Sequence, residues 1–219
     1  GFIVTSKETL AKEANSLTHW TPNTYQRFGY TDETRTYIKG FEDANLSQIN
    51  TFVVDIDTKR HSVNEIMLAC IDNSIGEPSM ILETPNGYQV YFMLAQPIFI
   101  SNKNNFRSLV VAKRIANNLK LSLSSIDADM YCNDFGFFRM PNASNVIWYS
   151  QARYTVQELI NWSMRQDDEE SRTLFVVPHK MTSRSVMVSE WFAALLHATD
   201  SKGQKGQIGR NNTLFTLAL

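Results

Sequence analysis

Residues 52–57, Phe-Val-Val-Asp-Ile-Asp, constrain this chain more than any other stretch. Strand side chains alternate between faces, so Phe52, Val54 and Ile56 share one face while Val53, Asp55 and Asp57 share the other. Two ionised carboxylates on one face of an apolar strand repel each other and lose hydration. Either their pKa values rise or a cation sits between them. Oxygen-only ligands suit Mg²⁺ or Mn²⁺, and Mg²⁺ commonly takes one or two carboxylates together with substrate phosphates. An acid-x-acid pair in a loop would be ordinarily solvated; the hydrophobic strand around this one favours a metal role.

The pattern elsewhere predicts an α+β domain. Thr5-Ser6-Lys7-Glu8 has the form of a capping box for a helix to about Asn15, and Ser62-Val63-Asn64-Glu65 opens another through about Cys70. Residues 35–38, 79–83 and 88–93 read as strands, the last two joined by Thr84-Pro85-Asn86-Gly87, which is turn chemistry. Ser101 caps a helix from about Lys103 to Leu119, with Ala112, Ala116 and Leu119 on its apolar side and Lys103, Arg107 and Arg114 opposite. Residues 135–140 and 146–149 read as further strands, and Thr155 caps a helix ending near Met164. The acidic run 166–171 reads as a linker, extending to about 185. A helical pattern follows over 186–198 and restarts near Asn211. Residues 1–165 are therefore expected to form the main domain and residues 186–219 the start of a small helical one. The apolar run that ends at Leu219 reads as the middle of a helix, as in a piece of a longer protein.

At 219 residues and 43% apolar composition, the chain can bury one substantial core. No run approaches a membrane span, and no secretory leader is recognisable. Cys70 and Cys132, the two cysteines, lack paired metal-binding spacing, which points to a reducing, cytoplasmic setting. The net charge of −1 predicts no polyanion partner by itself, but its distribution is uneven. No acid lies between Glu83 and Asp127, where Lys103, Arg107, Lys113, Arg114 and Lys120 fall. The tail is basic too, with Lys180, Arg184, Lys202, Lys205 and Arg210. Either patch fits phosphate contacts or a solvated helix face.

A polymerising metal site needs a third acid and groups that hold a triphosphate. Asp127 and Asp129, which share a face if extended, are the main candidates for the acid, with Asp134 a weaker one. Gln89 is a polar side chain in an aromatic strand, suited to phosphate, base or a structural hydrogen bond. Arg139, after Phe135, Phe137 and Phe138, must pair with a carboxylate or a phosphate.

Taken in order, the Asp-x-Asp strand, the hairpin 84–91, Asp129 and Arg139-Met140-Pro141-Asn142 with Asn145 resemble the archaeo-eukaryotic primase superfamily, above all plasmid-encoded primase and primase-polymerase domains. The segment Gly209–Phe215 resembles the opening of the helical domain that often follows. Together they resemble the N-terminal part of a replication initiator from theta-replicating plasmids of Gram-positive bacteria. The resemblance implies an RRM-like palm with a mixed sheet and flanking helices. It implies Asp55, Asp57 and Asp129 (or Asp127) as ligands for Mg²⁺ or Mn²⁺ in two-metal nucleotidyl transfer. Thr84, Asn86, Gln89 and Arg139 would contact the nucleotide; Gln89 stands where the family commonly has a histidine. Lys103, Arg107, Arg114, Lys205 and Arg210 would follow the strand. Implied partners are a single-stranded DNA template, nucleoside triphosphates, plasmid origin DNA and host replication proteins, with no membrane. A DNA-binding initiator module that no longer polymerises is the alternative, and a nuclease on the same acids ranks last. A bulky residue beneath the sugar would select ribo- or deoxynucleotides, with Tyr88, Tyr91 and Phe137 as candidates.

Overall fold

A computed structural model describes residues 3–4, 6–31, 33–34, 37–102 and 106–170. In chain order its elements are α1 (Lys7–Glu13), β1 (His19–Trp20), β2 (Thr24–Tyr25), β3 (Gly29–Tyr30), β4 (Ile38–Lys39), β5 (Leu46–Ile56), α2 (Val63–Asp72), β6 (Met80–Glu83), β7 (Tyr88–Phe99), α3 (Arg107–Ser122), β8 (Phe138–Arg139), β9 (Val146–Tyr149) and α4 (Val156–Glu170). The class is α+β, as expected. Five strands form the main sheet in the order β2-β5-β7-β6-β9, and every pairing within it is antiparallel. Among the described residues, a parallel contact enters only as the single bridge Leu94–Tyr154.

The two faces of the sheet follow from the alternation in β5. Phe52, Val54 and Ile56 join Val90 and Phe92 of β7 in the larger core. There they meet Ile66 and Cys70 of α2, Leu109, Ala112 and Leu119 of α3, and Leu159 and Trp162 of α4. Burying each of the larger side chains contributes about 1.5–3 kcal/mol. Val53 faces the other way, into a smaller cluster with Met80, Leu82, Tyr91 and Phe138, against which Trp20 packs. The short ribbon β1–β8, with His19 opposite Arg139 and Trp20 opposite Phe138, covers this second face. Helices thus occupy one face, and the ribbon lies on the face that carries Asp55.

Several boundaries move, each for a local reason. β5 starts at Leu46 rather than near Phe52 because neighbours satisfy its polar residues: Asn50 N donates to Asn23 Oδ1 at 2.9 Å and the Thr51 hydroxyl to Phe92 O at 3.1 Å. β7 runs past Met93 to Phe99, and Pro97 is tolerated because the β5–β7 ladder is irregular between Ile49 and Thr51. Ser6, not Thr5, caps α1, accepting from Thr9 N. Of the expected 35–38 strand, residues 35–36 lie outside the described residues and Ile38 opens the strand Ile38–Lys39; α3 begins at Arg107 after Phe106 in the left-handed region. The expected 135–140 strand shrinks to Phe138–Arg139, since Phe135 is pinned in a loop by Asn133 Oδ1 and the Tyr25 hydroxyl.

The acidic run expected as a linker from 166 is the end of α4. Helix α3 takes up the charge of Asp167: Arg114 pairs with it, and Asn118 Nδ2 donates to Asp167 Oδ1 at 2.7 Å. The chain divides after Glu170, and the described fold belongs to the first unit, Gly1–Glu170. The helical patterns at 186–198 and from Asn211, with Lys205 and Arg210, lie outside the described residues, as does Lys103. Among the described residues, no helix is long and apolar enough to cross a membrane.

One glycine sets how closely the β6–β7 turn meets the end of β5. A Cβ on Gly87 would overlap the Ile56 carbonyl oxygen and lie 2.7 Å from Thr58 N. Both partners are backbone and cannot swing away. Gly87→Ala is therefore expected to cost roughly 2–3 kcal/mol, read as a lower urea midpoint. An unchanged midpoint would contradict this approach.

Candidate nucleotide and metal site

The site is built where β5 and β7 run side by side. The ladder sets Asp55 directly opposite Gln89, so their side chains share a face. Gln89 is 7% exposed, and both ends of its amide are engaged. Nε2 donates to Asp55 Oδ2 at 3.4 Å, while Oε1 accepts from Arg139 N at 2.9 Å and from the Tyr91 hydroxyl at 3.4 Å. One buried amide thus ties the Asp55 carboxylate to the ribbon strand that bears Arg139.

Asp129 arrives from the loop after α3. Its backbone N–H donates to Asp55 O at 2.8 Å, and Ala128 bridges Ile56 as a short antiparallel contact. The Asp129 carboxylate accepts from Tyr131 N at 2.8 Å. Asp57 stands exposed, one residue beyond the end of β5, so it extends the face of Asp55 without being part of the strand. Burial pushes the Asp55 carboxyl from 3.8 up to about 6; the Gln89 amide opposes the shift, and the negative charges of Asp57 and Asp129 add to it. Three of the expected acids therefore interact electrostatically. Among the described residues, however, no three acidic, histidine or cysteine side chains are drawn together closely enough to hold an ion by themselves.

Asp127 does not join them. It sits at φ 62° at the end of a 3-10 turn, so the stretch is not extended and the two acids do not share a face. Its Oδ2 lies 3.2 Å from His61 Nε2 and 3.3 Å from the Arg60 guanidinium. Asp134 is also committed elsewhere, to Lys120 Nζ at 2.7 Å; Lys120 is only 6% exposed and donates as well to Met130 O. Thr84 closes the hairpin, its hydroxyl accepting from Gly87 N at 2.9 Å, and Asn86 is exposed on the same turn beside the end of β5. Arg139 is half-buried, and among the described residues its guanidinium has no carboxylate partner, unlike the structural salt bridge that an acidic strand offered.

The basic helix lies on the other side of the sheet from this site. α3 packs on the sheet face away from Asp55, Arg114 is paired with Asp167, Lys113 with Asp43 and Lys120 with Asp134; Arg107 remains exposed in the first turn. Tyr91 is fully buried, and burial raises its hydroxyl pKa, so it is not a surface beneath a sugar. The residue that sequence reasoning missed is His19, the cross-strand partner of Arg139. A two-residue strand that pairs with a segment so distant in sequence leaves no local signal.

No family model matches the chain. It is 36% identical over 227 aligned residues to Protein RepS of Streptococcus pyogenes and to Protein RepR of Streptococcus agalactiae. It is also 36% identical over 230 residues to a replication initiation protein of Bacillus anthracis. Along its whole length, the chain is similar to these three proteins. The alignments cover 100% of this chain and 46%, 46% and 45% of those proteins, so it spans about half the length of the curated relatives it matches. Among solved structures, the primase-polymerase domain of cyanophage S-2L aligns over 72% of this chain and 76% of its own, at 11% identity and a TM-score of 0.45. The catalytic domain of primase RepB′ in complex with initiator DNA aligns over 64% and 69%, at 16% identity and a TM-score of 0.34.

The raised Asp55 pKa has a consequence for stability. Between 3.8 and about 6 the folded protein binds more protons than the unfolded chain, so stability falls as pH rises through that window. Asp55→Asn removes the charge that burial disfavours. The variant is expected to be more stable than wild type at pH 7, by on the order of 1 kcal/mol because the carboxyl is only partly buried. Thermal melts from pH 4 to 8 would reveal this; a variant less stable at pH 7 would contradict it.

Proposed function

We propose that this chain carries the nucleotidyl-transfer centre of a plasmid replication initiator, acting as a primase or primase-polymerase on a single-stranded DNA template. The observation that carries the reading is the joining of two features by Gln89: a carboxyl whose pKa burial and neighbouring acids raise to about 6, and a half-buried arginine that has no carboxylate partner among the described residues. The acids fit Mg²⁺ or Mn²⁺. Their mutual repulsion is what a hard cation relieves, and Mg²⁺ needs only one or two protein carboxylates when water and phosphate complete its shell. Asp55, Asp57 and Asp129 would hold the ions. Bound there, such ions lower the pKa of an attacking hydroxyl and offset charge on departing pyrophosphate.

The chain's own groups do the rest. Arg139 binds the triphosphate through a guanidinium that is never neutral. Gln89 positions the Arg139 strand through its backbone and holds Asp55 in place. Thr84 and Asn86 flank the nucleotide from the hairpin turn, where Asn86 is free to rotate toward it. Asp127 is left as a contact of His61 and Arg60 rather than a ligand. Nucleoside triphosphates, origin DNA and host replication proteins are the partners this reading requires.

The test is incubation with single-stranded template, labelled nucleotides and Mn²⁺. Short products are expected from wild type and none from Asp55→Ala, whose circular dichroism should remain native. Synthesis by Asp55→Ala would refute the assignment. The second reading, a DNA-binding module without polymerase activity, is favoured by the separation of the acids. It predicts DNA binding that persists in EDTA and no incorporation with any divalent metal.

A further inference from the structure

A cavity of about 560 Å³ opens beside the ribbon, away from the carboxylates. Its wall includes Phe28, Phe41, Phe137, Tyr37 and Trp20, with His19 also in the lining. The size lies within the range of small-molecule sites, which are mostly apolar with a few placed polar groups. Two of its aromatic rings are left in water: Phe137 is 49% exposed and Tyr37 69%. Phe137 meets Phe41 edge-on, with centroids 4.4 Å apart. Phe138 is buried against Tyr91, while Arg139 pairs with His19 across the ribbon. The aromatic cavity, lined by His19, Trp20 and Phe137, therefore borders the ribbon that carries the candidate phosphate-binding arginine.

We propose that this cavity takes one unpaired nucleobase of a single DNA strand, with His19 at its edge meeting a backbone phosphate. The inference rests on the proposed-function reading that a single strand crosses this chain. A planar heteroaromatic guest matches the wall: aromatic side chains stack on any base, while a cationic or donor group alongside tracks the backbone. His19 can act as such a donor. Its Nδ1 lies 3.1 Å from the Thr18 hydroxyl, and when that nitrogen accepts, Nε2 carries the proton. The strand so held would run from the cavity along the ribbon toward Arg139 and Asp55.

The experiment is fluorescence anisotropy of a labelled single-stranded oligonucleotide with the full chain. Phe137→Ala is expected to weaken binding about five- to tenfold, and Phe137→Tyr, which keeps the ring, to stay close to wild type. Moving a single abasic position along the oligonucleotide should reproduce the loss at one position, with no further loss there in Phe137→Ala. Unchanged affinity in Phe137→Ala, or an abasic scan with no sensitive position, overturns the inference. So does displacement of the oligonucleotide by an equal concentration of free mononucleotide, which would make the site one for free nucleotides. Wild-type protein that makes primers while Phe137→Ala binds normally sinks this inference alone. Protein that binds no single strand sinks the proposed function with it.

Discussion

The buried amide of Gln89 is the contact on which the site depends. It joins two layers, the sheet through Asp55 and the overlying ribbon through Arg139 N, beside a second polar contact from the Tyr91 hydroxyl to Arg139 O. The chemistry of the side chain suits the task. A neutral amide donates with one end and accepts with the other, whereas a carboxylate at that position could not donate and a lysine could not accept. With both ends engaged and almost no solvent access, the amide helps hold a two-residue ribbon strand that buried Phe138 and the Met140 N to Thr18 O hydrogen bond also anchor. A charged residue in the same place would have to choose between the acid and the backbone.

Much of the frame was legible because it is written in short-range patterns. Period-two alternation placed Phe52, Val54 and Ile56 against the helices and Asp55 on the opposite face. The Ser62/Glu65 pair forms the expected capping box, and Thr155 and Glu158 exchange the corresponding hydrogen bonds at the start of α4. The turn at 84–87 joins the two strands that its Pro-Asn-Gly chemistry foretold. What stayed hidden depends on partners far away in the chain. Asp127 leaves its neighbour because a left-handed residue turns the backbone there, and a single sequence does not announce that turn. The acidic run after Met164 looks like a linker until Arg114 and Asn118 of another helix are placed beside it. His19 acquires meaning only through Arg139.

Charge gives the same lesson. The acid-free window between Glu83 and Asp127 is real in the sequence, yet in three dimensions Asp43, Asp134 and Asp167 enter it from outside. A basic segment is not a basic surface when acids from other elements reach it. The near-neutral overall composition already anticipates this balance. Exposed pairs of this kind add little stability, and the buried Lys120–Asp134 pair is different in kind, because removing either partner strands a charge in the interior.

That buried pair also governs how the centre can move. Lys120 grips the loop at Met130 and Asp134, while Asp129 is stitched to the backbone of Asp55 from the other side. The segment between is clamped at both flanks and behaves as a fixed wall rather than a flap.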